Sequence, residues 1–484
     1  MNLRKLIVSL TILAIIAGNI QLAKAQSSEP ALTPVFNVPI KEDEVKPAFP
    51  SAYMGSIQSL WVSDNALYFL AFYDNVIVKM DLSTKEISKF YEAETGIVFD
   101  PSFKYKGFWL IGVNYPPIPS KNEGTHITVP LGAGAIEAVN MTTKETVWSF
   151  PTKYPTYPFG MRNDLIYFDV YDEGTYALDL STRKVRWFYP DFPDNTSSTG
   201  KMGFYSHLLV QDTIYATASH VLLAIDSATG KEKFRVNIKE GSLDSLVFKD
   251  NILYGTKTGV SENIFNVSYV AFDLSTKNFI WQTYFSSYGF GSLPIITGDS
   301  IYVIAMDENG ELASYPQRIC AFTSSGKFLW RSEYGNFVPK ILLNGPYLYA
   351  VERVDLDKKQ GSRHGFVVIN VYDASSGEKV WSYRLSSTDY SGAVQDYWMY
   401  INTAYDIALH DNTLILSGFQ AIYKEDPGPY APGTFHIWGF NSDSAESVPE
   451  FSRMPLIFSA SILALIPLLF SNKVREIGRR NSRC

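Results

Sequence analysis

The chain has 484 residues, of which 46% are hydrophobic and 15% aromatic, a composition that excludes a disordered polypeptide. The formal net charge of −7 and a pI near 5.5 argue against a nucleic-acid partner and suit an extracytoplasmic body.

Residues 1–25 combine Arg4 and Lys5, an apolar run over 6–17, and Ala23-Lys24-Ala25 before Gln26. That pattern predicts a secretory signal peptide cleaved after Ala25, with an uncleaved anchor as the alternative. Residues 26–50 form an extended, Pro- and Ser-rich leading segment. Within it, residues 35–40 read as a strand with no hairpin partner nearby.

Residues 51–441 are filled by one repeated unit, clearest at 176–187, Tyr-Ala-Leu-Asp-Leu-Ser-Thr-Arg-Lys-Val-Arg-Trp. The unit reads as a hairpin. Asp179 accepts hydrogen bonds from amides two and three residues on, which holds the turn. The small Ala177 leaves room for a large ring, and Trp187 supplies one. The anchors are Asp81, Asn140, Asp179, Asp226, Asp273, Thr323, Asp373 and a weaker Asn441, spaced by about 51 residues on average. The docking rings that follow are Trp148, Trp187, Phe234, Trp281, Trp330 and Trp381. A second element, Asp-x-hydrophobic-Tyr, precedes each unit, as in Asp164 to Tyr167 and Asp299 to Tyr302. Each repeat therefore holds four strands, a to d. Eight such repeats predict an all-β, eight-bladed β-propeller of four-stranded antiparallel blades. The last repeat has strands a (406–409), b (413–419) and c (435–441) but no d, so residues 35–40 are expected to supply it and close the ring.

The Ala-x-Asp-x-x-Thr-Gly-x-x-x-Trp pattern resembles the tryptophan-docking motif of the pyrroloquinoline-quinone (PQQ)-type propeller repeats. The resemblance implies that each Trp packs on the next blade. The turn glycine of that motif is present at Gly230, Gly326 and Gly377, but Lys85, Lys144, Arg183 and Lys277 replace it elsewhere. A non-Gly residue at positive φ costs about 1 kcal/mol, so those four turns are expected to differ in shape.

Strand direction puts the b–c and d–a connections on one face and the short a–b and c–d turns on the other. Long connections are read at 114–130, 191–203, 257–266, 306–316, 352–365, 386–403 and 423–434, all on the first face, where function is usually carried. The most aromatic of them present Tyr390, Tyr397, Trp398, Tyr400, Tyr423 and Tyr430 as a candidate protein- or glycan-binding face. A loop minicore is the alternative reading of the same residues. Asn140, Asn195 and Asn266 stand in N-glycosylation sequons, meaningful in an exported chain.

After Asn441 come a polar stalk with Pro449-Glu450-Phe451 (442–453), an apolar transmembrane segment (454–470) and a basic tail (471–484) that places its end in the cytoplasm. This tail resembles the PEF-type C-terminal sorting signals processed by archaeosortases. The resemblance implies an archaeal source and a lipid anchor in place of the removed run; a retained helix is the plain reading. Either way the protein is expected at the cell surface, tethered to the membrane. The stalk is short and leaves from the short-turn face, so the long-loop face is expected to point outward.

Catalytic groups are not evident. PQQ-dependent dehydrogenases of the same superfamily use adjacent cysteines, a central Asp base and calcium, whereas this chain has Cys320 in a predicted c strand and Cys484 beyond the apolar run. No haem attachment motif, nucleotide fingerprint or paired histidine spacing occurs. The sequence therefore predicts a non-catalytic binding or assembly scaffold with an unknown protein or glycan partner. No cofactor or metal is expected; PQQ and calcium belong to the alternative reading as a dehydrogenase.

Overall fold

Eight times the chain makes the same antiparallel meander, each strand pairing with the next to form a four-stranded sheet. A computed structural model describes residues 35–40, 58–71, 76–93, 97–115, 132–190, 192–193, 201–202, 206–218, 220–238, 241–261, 264–286, 293–306, 317–333, 337–355, 365–384, 398–423 and 434–441. Blade 3 is the plainest, with strands a to d at Thr156–Arg162, Leu165–Val170, Gly174–Asp179 and Lys184–Pro190. The others span 58–92, 97–152, 206–237, 242–286, 295–331, 337–384 and, for blade 8, 398–441. The chain divides into two units, Met1–Phe440 and Asn441–Cys484. The expected signal peptide, stalk, apolar run and basic tail lie outside the described residues.

Blade 8 takes its strand d from the other end of the chain. Phe36–Ile40 pairs antiparallel with Thr434–Asn441, Phe36 facing Gly439 and Ile40 facing Phe435. The ring is closed by burial as well as by hydrogen bonds. Among the described residues there are eight apolar clusters, and each is built from two neighbouring blades. The cluster of blades 8 and 1, for example, joins Ile40, Ile415 and Ile437 to Leu67, Phe69 and Val78. No blade buries its apolar faces alone, so the ring is the folding unit.

All eight a–b connections are two-residue hairpins, from Asp64-Asn65 in blade 1 to Asp411-Asn412 in blade 8. Their first residues, among them Asp64, Lys106, Asp250 and Asp411, have φ between 47° and 55°. This is the conformation whose twist matches that of the flanking strands. The c–d turns are set by their anchors. Asp179 Oδ1 accepts from Ser181 N and Thr182 N, both at 2.9 Å, and Asn140, Asp226, Asp273 and Asp373 cap their own turns in the same way. The Ser181 hydroxyl, donating to the same Oδ1 at 2.6 Å, and these backbone contacts hold the Asp179 carboxyl down at about 2.

Three expectations from the sequence are corrected here. The Lys and Arg turns do not differ in shape: Lys85, Lys144, Arg183 and Lys277 have φ of 56° to 65°, beside 71° at Gly230 and 74° at Gly377. The same backbone bond closes both kinds, 2.8 Å from Lys277 N to Asp273 O and from Gly377 N to Asp373 O. The turn frame thus overrides the residue's own preference. Second, residues 257–266 are not a loop, because strands Ile252–Ser261 and Ile264–Asp273 continue as a long hairpin that carries Asn266 opposite Gly259. Third, strands a and b of blade 8 run over Trp398–His410 and Thr413–Tyr423, well beyond 406–409 and 413–419. Trp398, Tyr400 and Tyr423 are therefore strand residues, with Trp398 paired to Tyr423.

Candidate functional site

The blade junctions come in two forms. In the first, the indole N–H of one blade donates to a carbonyl in the next blade's c–d turn: Trp187 to Ser227 O at 2.8 Å, Trp281 to Ser324 O at 2.9 Å, and Trp330 to Ala374 O at 2.9 Å. The ring lies flat against the turn glycine. A Cβ on Gly230, Gly326 or Gly377 would stand 2.3–2.7 Å from indole carbons, so only glycine admits this approach. In the second form the turn residue is a cation placed over the incoming ring. Lys85 lies 4.3 Å from the centroid of Phe36, Arg183 5.6 Å from Trp148, and Lys277 5.0 Å from Phe234. Each ring faces a small residue across its own sheet, as in Ala177 with Trp187, Ala224 with Phe234 and Gly439 with Phe36. Trp381 packs into blade 8 beside Trp438 and Phe440.

The junction of blades 1 and 2 has neither form. Lys89 follows Asp81 by eight residues, as the docking rings follow their anchors, but the register sets it opposite Val78 rather than opposite Lys79, and it pairs with Glu92 Oε2 at 2.5 Å. Packing there comes instead from Trp61, Tyr68, Phe90 and Trp109, with ring centroids 5.3–6.2 Å apart. Beside this cluster a cleft of about 470 Å³ opens, lined by Tyr91, Ala93, Tyr115, Glu137, Lys144 and Thr146 among others. Glu137 is buried and receives three hydroxyl protons: from Tyr91 Oη at 2.7 Å, Tyr115 Oη at 2.7 Å and Thr146 Oγ1 at 2.9 Å. Burial and the carboxylate together push the Tyr91 phenol far above its usual range, so it remains a donor.

Two other buried polar groups are structural. Strands a of neighbouring blades meet around the axis. There Asp406 of blade 8 accepts from Leu60 N of blade 1 at 2.8 Å, from its neighbour Ile407 N at 2.8 Å, and from Lys340 of blade 7. One carboxylate thereby ties three blades, and its oxygens are committed. Between blades 3 and 4, Thr175 Oγ1 lies 3.2 Å from Asp169 Oδ1 and 3.3 Å from His207 Nε2. Asp169, Thr175 and the side chain of His207 are buried, with the His207 ring stacked on Phe159 at 4.1 Å, which leaves no approach for a substrate. Cys320, in strand Gln317–Thr323, is buried and its thiol is pushed up to about 11, so it is not a poised thiolate. Among the described residues no group of three or more His, Cys, Asp or Glu could hold a metal ion.

A comparison with known families matches part of the ring. Residues 112–315 match the family model of outer membrane protein assembly factor BamB. That stretch runs from blade 2 into the connection after strand b of blade 6 and contains three of the docking tryptophans. BamB from Moraxella catarrhalis is similar in structure at 14% identity, covering 85% of this chain and 100% of that one, with a TM-score of 0.49. The computationally designed Ika8 protein covers 80% and 96% at 12% identity and a TM-score of 0.50. Quinohemoprotein alcohol dehydrogenase from Comamonas testosteroni covers 80% and 74% at 13% identity and a TM-score of 0.48. No curated protein matches the chain. At 12% identity the likeness to the designed protein is one of fold alone.

Of the candidate binding face, Tyr390, Tyr397 and Tyr430 lie outside the described residues, as does Asn195. Asn140 uses its side-chain oxygen to cap its own turn, accepting from Thr142 N at 2.8 Å and Thr143 N at 3.0 Å. The residues that sequence reading missed are Glu137, Tyr91, Tyr115, Asp406 and the His207 trio. The one signal for the first three was Lys89, a break in the series of docking rings.

Proposed function

We propose that this chain is an exported, membrane-tethered propeller serving as a binding or assembly scaffold, with its long-loop face turned away from the membrane. The observation that carries the reading is the match of residues 112–315 to a family described as an assembly factor. The chemistry of the ring supports it. The carboxylates Asp406 and Glu137 are each held by three donors, and no adjacent cysteine pair is present to serve quinone redox chemistry. Rigid blades joined by long connections are a scaffold suited to recognition rather than turnover.

The test is proximity crosslinking in native membranes with the wild type and with a variant carrying Tyr397→Ala, Trp398→Ala and Tyr430→Ala. Loss of a reproducible crosslinked protein in the variant, with its melting temperature intact, is the expected result. An identical crosslinking pattern for both would remove the long-loop face from the reading. A rise of several degrees in melting temperature on adding PQQ with calcium would replace the scaffold by a dehydrogenase.

A further inference from the structure

A carboxylate taken out of water is costly unless a cation or several hydrogen-bond donors stand beside it. Asp406 has both, with Lys340 among its partners. Glu137 has donors and no cation. It is 8% exposed, and among the described residues its side chain is held by three neutral hydroxyls, those of Tyr91, Tyr115 and Thr146. Oε2 accepts from Tyr91 and Thr146, and Oε1 from Tyr115. Each carboxylate oxygen has two lone pairs, so Oε1 keeps one open. Glu137 also lines the cleft of about 470 Å³ beside the junction of blades 1 and 2.

We propose that this cleft binds an alkylammonium group, which donates to Glu137 Oε1 and supplies the positive charge that three hydroxyls cannot. The lining selects for a cation. Its carboxylates are Glu92, Glu137 and Glu145, against the single ammonium of Lys144, which is turned to Lys89 O at 3.4 Å. Glu92 pairs with Lys89, whereas Glu137 and Glu145 make no ion pair among the described residues. The sense of the hydrogen bonds points the same way. Tyr91, Tyr115 and Thr146 have given their protons to Glu137, so towards an incoming group their oxygens act only as acceptors. The phenol rings of the two tyrosines add a surface that attracts a cation. A metal ion fits less well, since among the described residues no group of three or more His, Cys, Asp or Glu could hold one. A guanidinium presents a planar fork suited to two parallel acceptors, whereas Glu137 has one open, which suits the compact charge of an ammonium. Two sources share this chemistry, a lysine side chain of a partner polypeptide and a free diamine. The inference stands on the cleft itself and needs the scaffold reading only for the first source.

The test is isothermal titration calorimetry on the full chain with N-acetyl-lysine methylamide, cadaverine and the uncharged N-acetyl-norleucine methylamide. Saturable binding of an ammonium probe, at least tenfold tighter than that of the norleucine compound, is expected. It should weaken at least tenfold in Glu137→Gln and severalfold in Glu145→Gln, the latter at an exposed position. Should Glu137→Gln not fold, Glu145→Lys, which reverses the charge at the rim, decides the matter by a loss of at least tenfold. Absence of saturable binding to the wild type, equal binding of the norleucine compound, or binding that survives the substitutions overturns the site. Binding of the lysine derivative supports a partner polypeptide as the source, and binding of cadaverine alone supports a free diamine. The Tyr397, Trp398 and Tyr430 variant should bind the probes unchanged, which separates this result from the fate of the long-loop face.

Discussion

At the junction of blades 6 and 7, Trp330 lies against Gly377 and donates to Ala374 O; at the junction of blades 4 and 5, Phe234 lies under Lys277. The two turns have the same closing bond and nearly the same φ. What differs is the side chain at the positive-φ position. Glycine lets the indole slide in until its N–H meets a carbonyl, whereas a longer residue holds the ring off and covers it with charge. The turn residue, not the ring, decides the form: Trp148 sits under Arg183 and, among the described residues, makes no indole hydrogen bond to the next turn. One backbone frame therefore supports two locks of different strength and different tolerance.

The comparison can be broken most severely at the indole. Trp330→Ala removes a buried ring and one of the two donors to Ala374 O, the other being Tyr302 Oη at 3.0 Å, which should cost about 3–5 kcal/mol in guanidinium unfolding. Exchanging the lock types is the sharper test. Gly377→Lys places a Cβ where 2.3 Å separates it from the Trp330 ring and should cost about 2–3 kcal/mol by the same assay. Indifference to that substitution would mean that the two forms are interchangeable.

Acid probes the blade that has no c–d turn. His436 of blade 8 is buried, lies 2.8 Å through Nδ1 from Asn37 Oδ1 and stacks on Trp438, and burial pushes its imidazole down to about 4 from 6.5. The folded state thus binds this proton less readily than the unfolded state. Its contribution is complete above pH 6.5 and is lost as the pH falls towards 4, by up to about 1.4 kcal/mol per pH unit. Urea midpoints measured from pH 7 to 4.5 should fall along that course in the wild type and less steeply in His436→Gln. The smallest effect belongs to Lys277→Gly. It relieves positive-φ strain of about 1 kcal/mol but forfeits a cation–π contact of similar size, so the midpoint should move by less than about 1 kcal/mol.

The series of anchors and rings made the blade count legible, because each copy repeats a local hairpin whose chemistry lies within a dozen residues. The closing role of 35–40 could be read as well, since the last repeat lacked one strand. The shape of the Lys and Arg turns was hidden, because a single residue's preference is outweighed by the anchor's hydrogen bonds. The Glu137 cluster was hidden for another reason. Tyr91 and Glu137 are 46 residues apart, and only the register of neighbouring blades brings them together. In blade 8, strands a and b run on to Trp398 and Tyr423, a length set by long-range pairing rather than by turn signals.

Phe36 and Gly439 face each other across about 400 intervening residues. Every other sheet can be completed soon after its own segment leaves the ribosome, but this one must wait for the final strand to be made. Until then the C-terminal sheet has only three members and an unsatisfied margin, open to a neighbouring chain. A short N-terminal peptide is thus the latch of the whole assembly. Proteolysis between Ile40 and Gln58 could leave that latch in place, whereas loss of Phe36–Ile40 itself would convert a closed ring into a sticky arc.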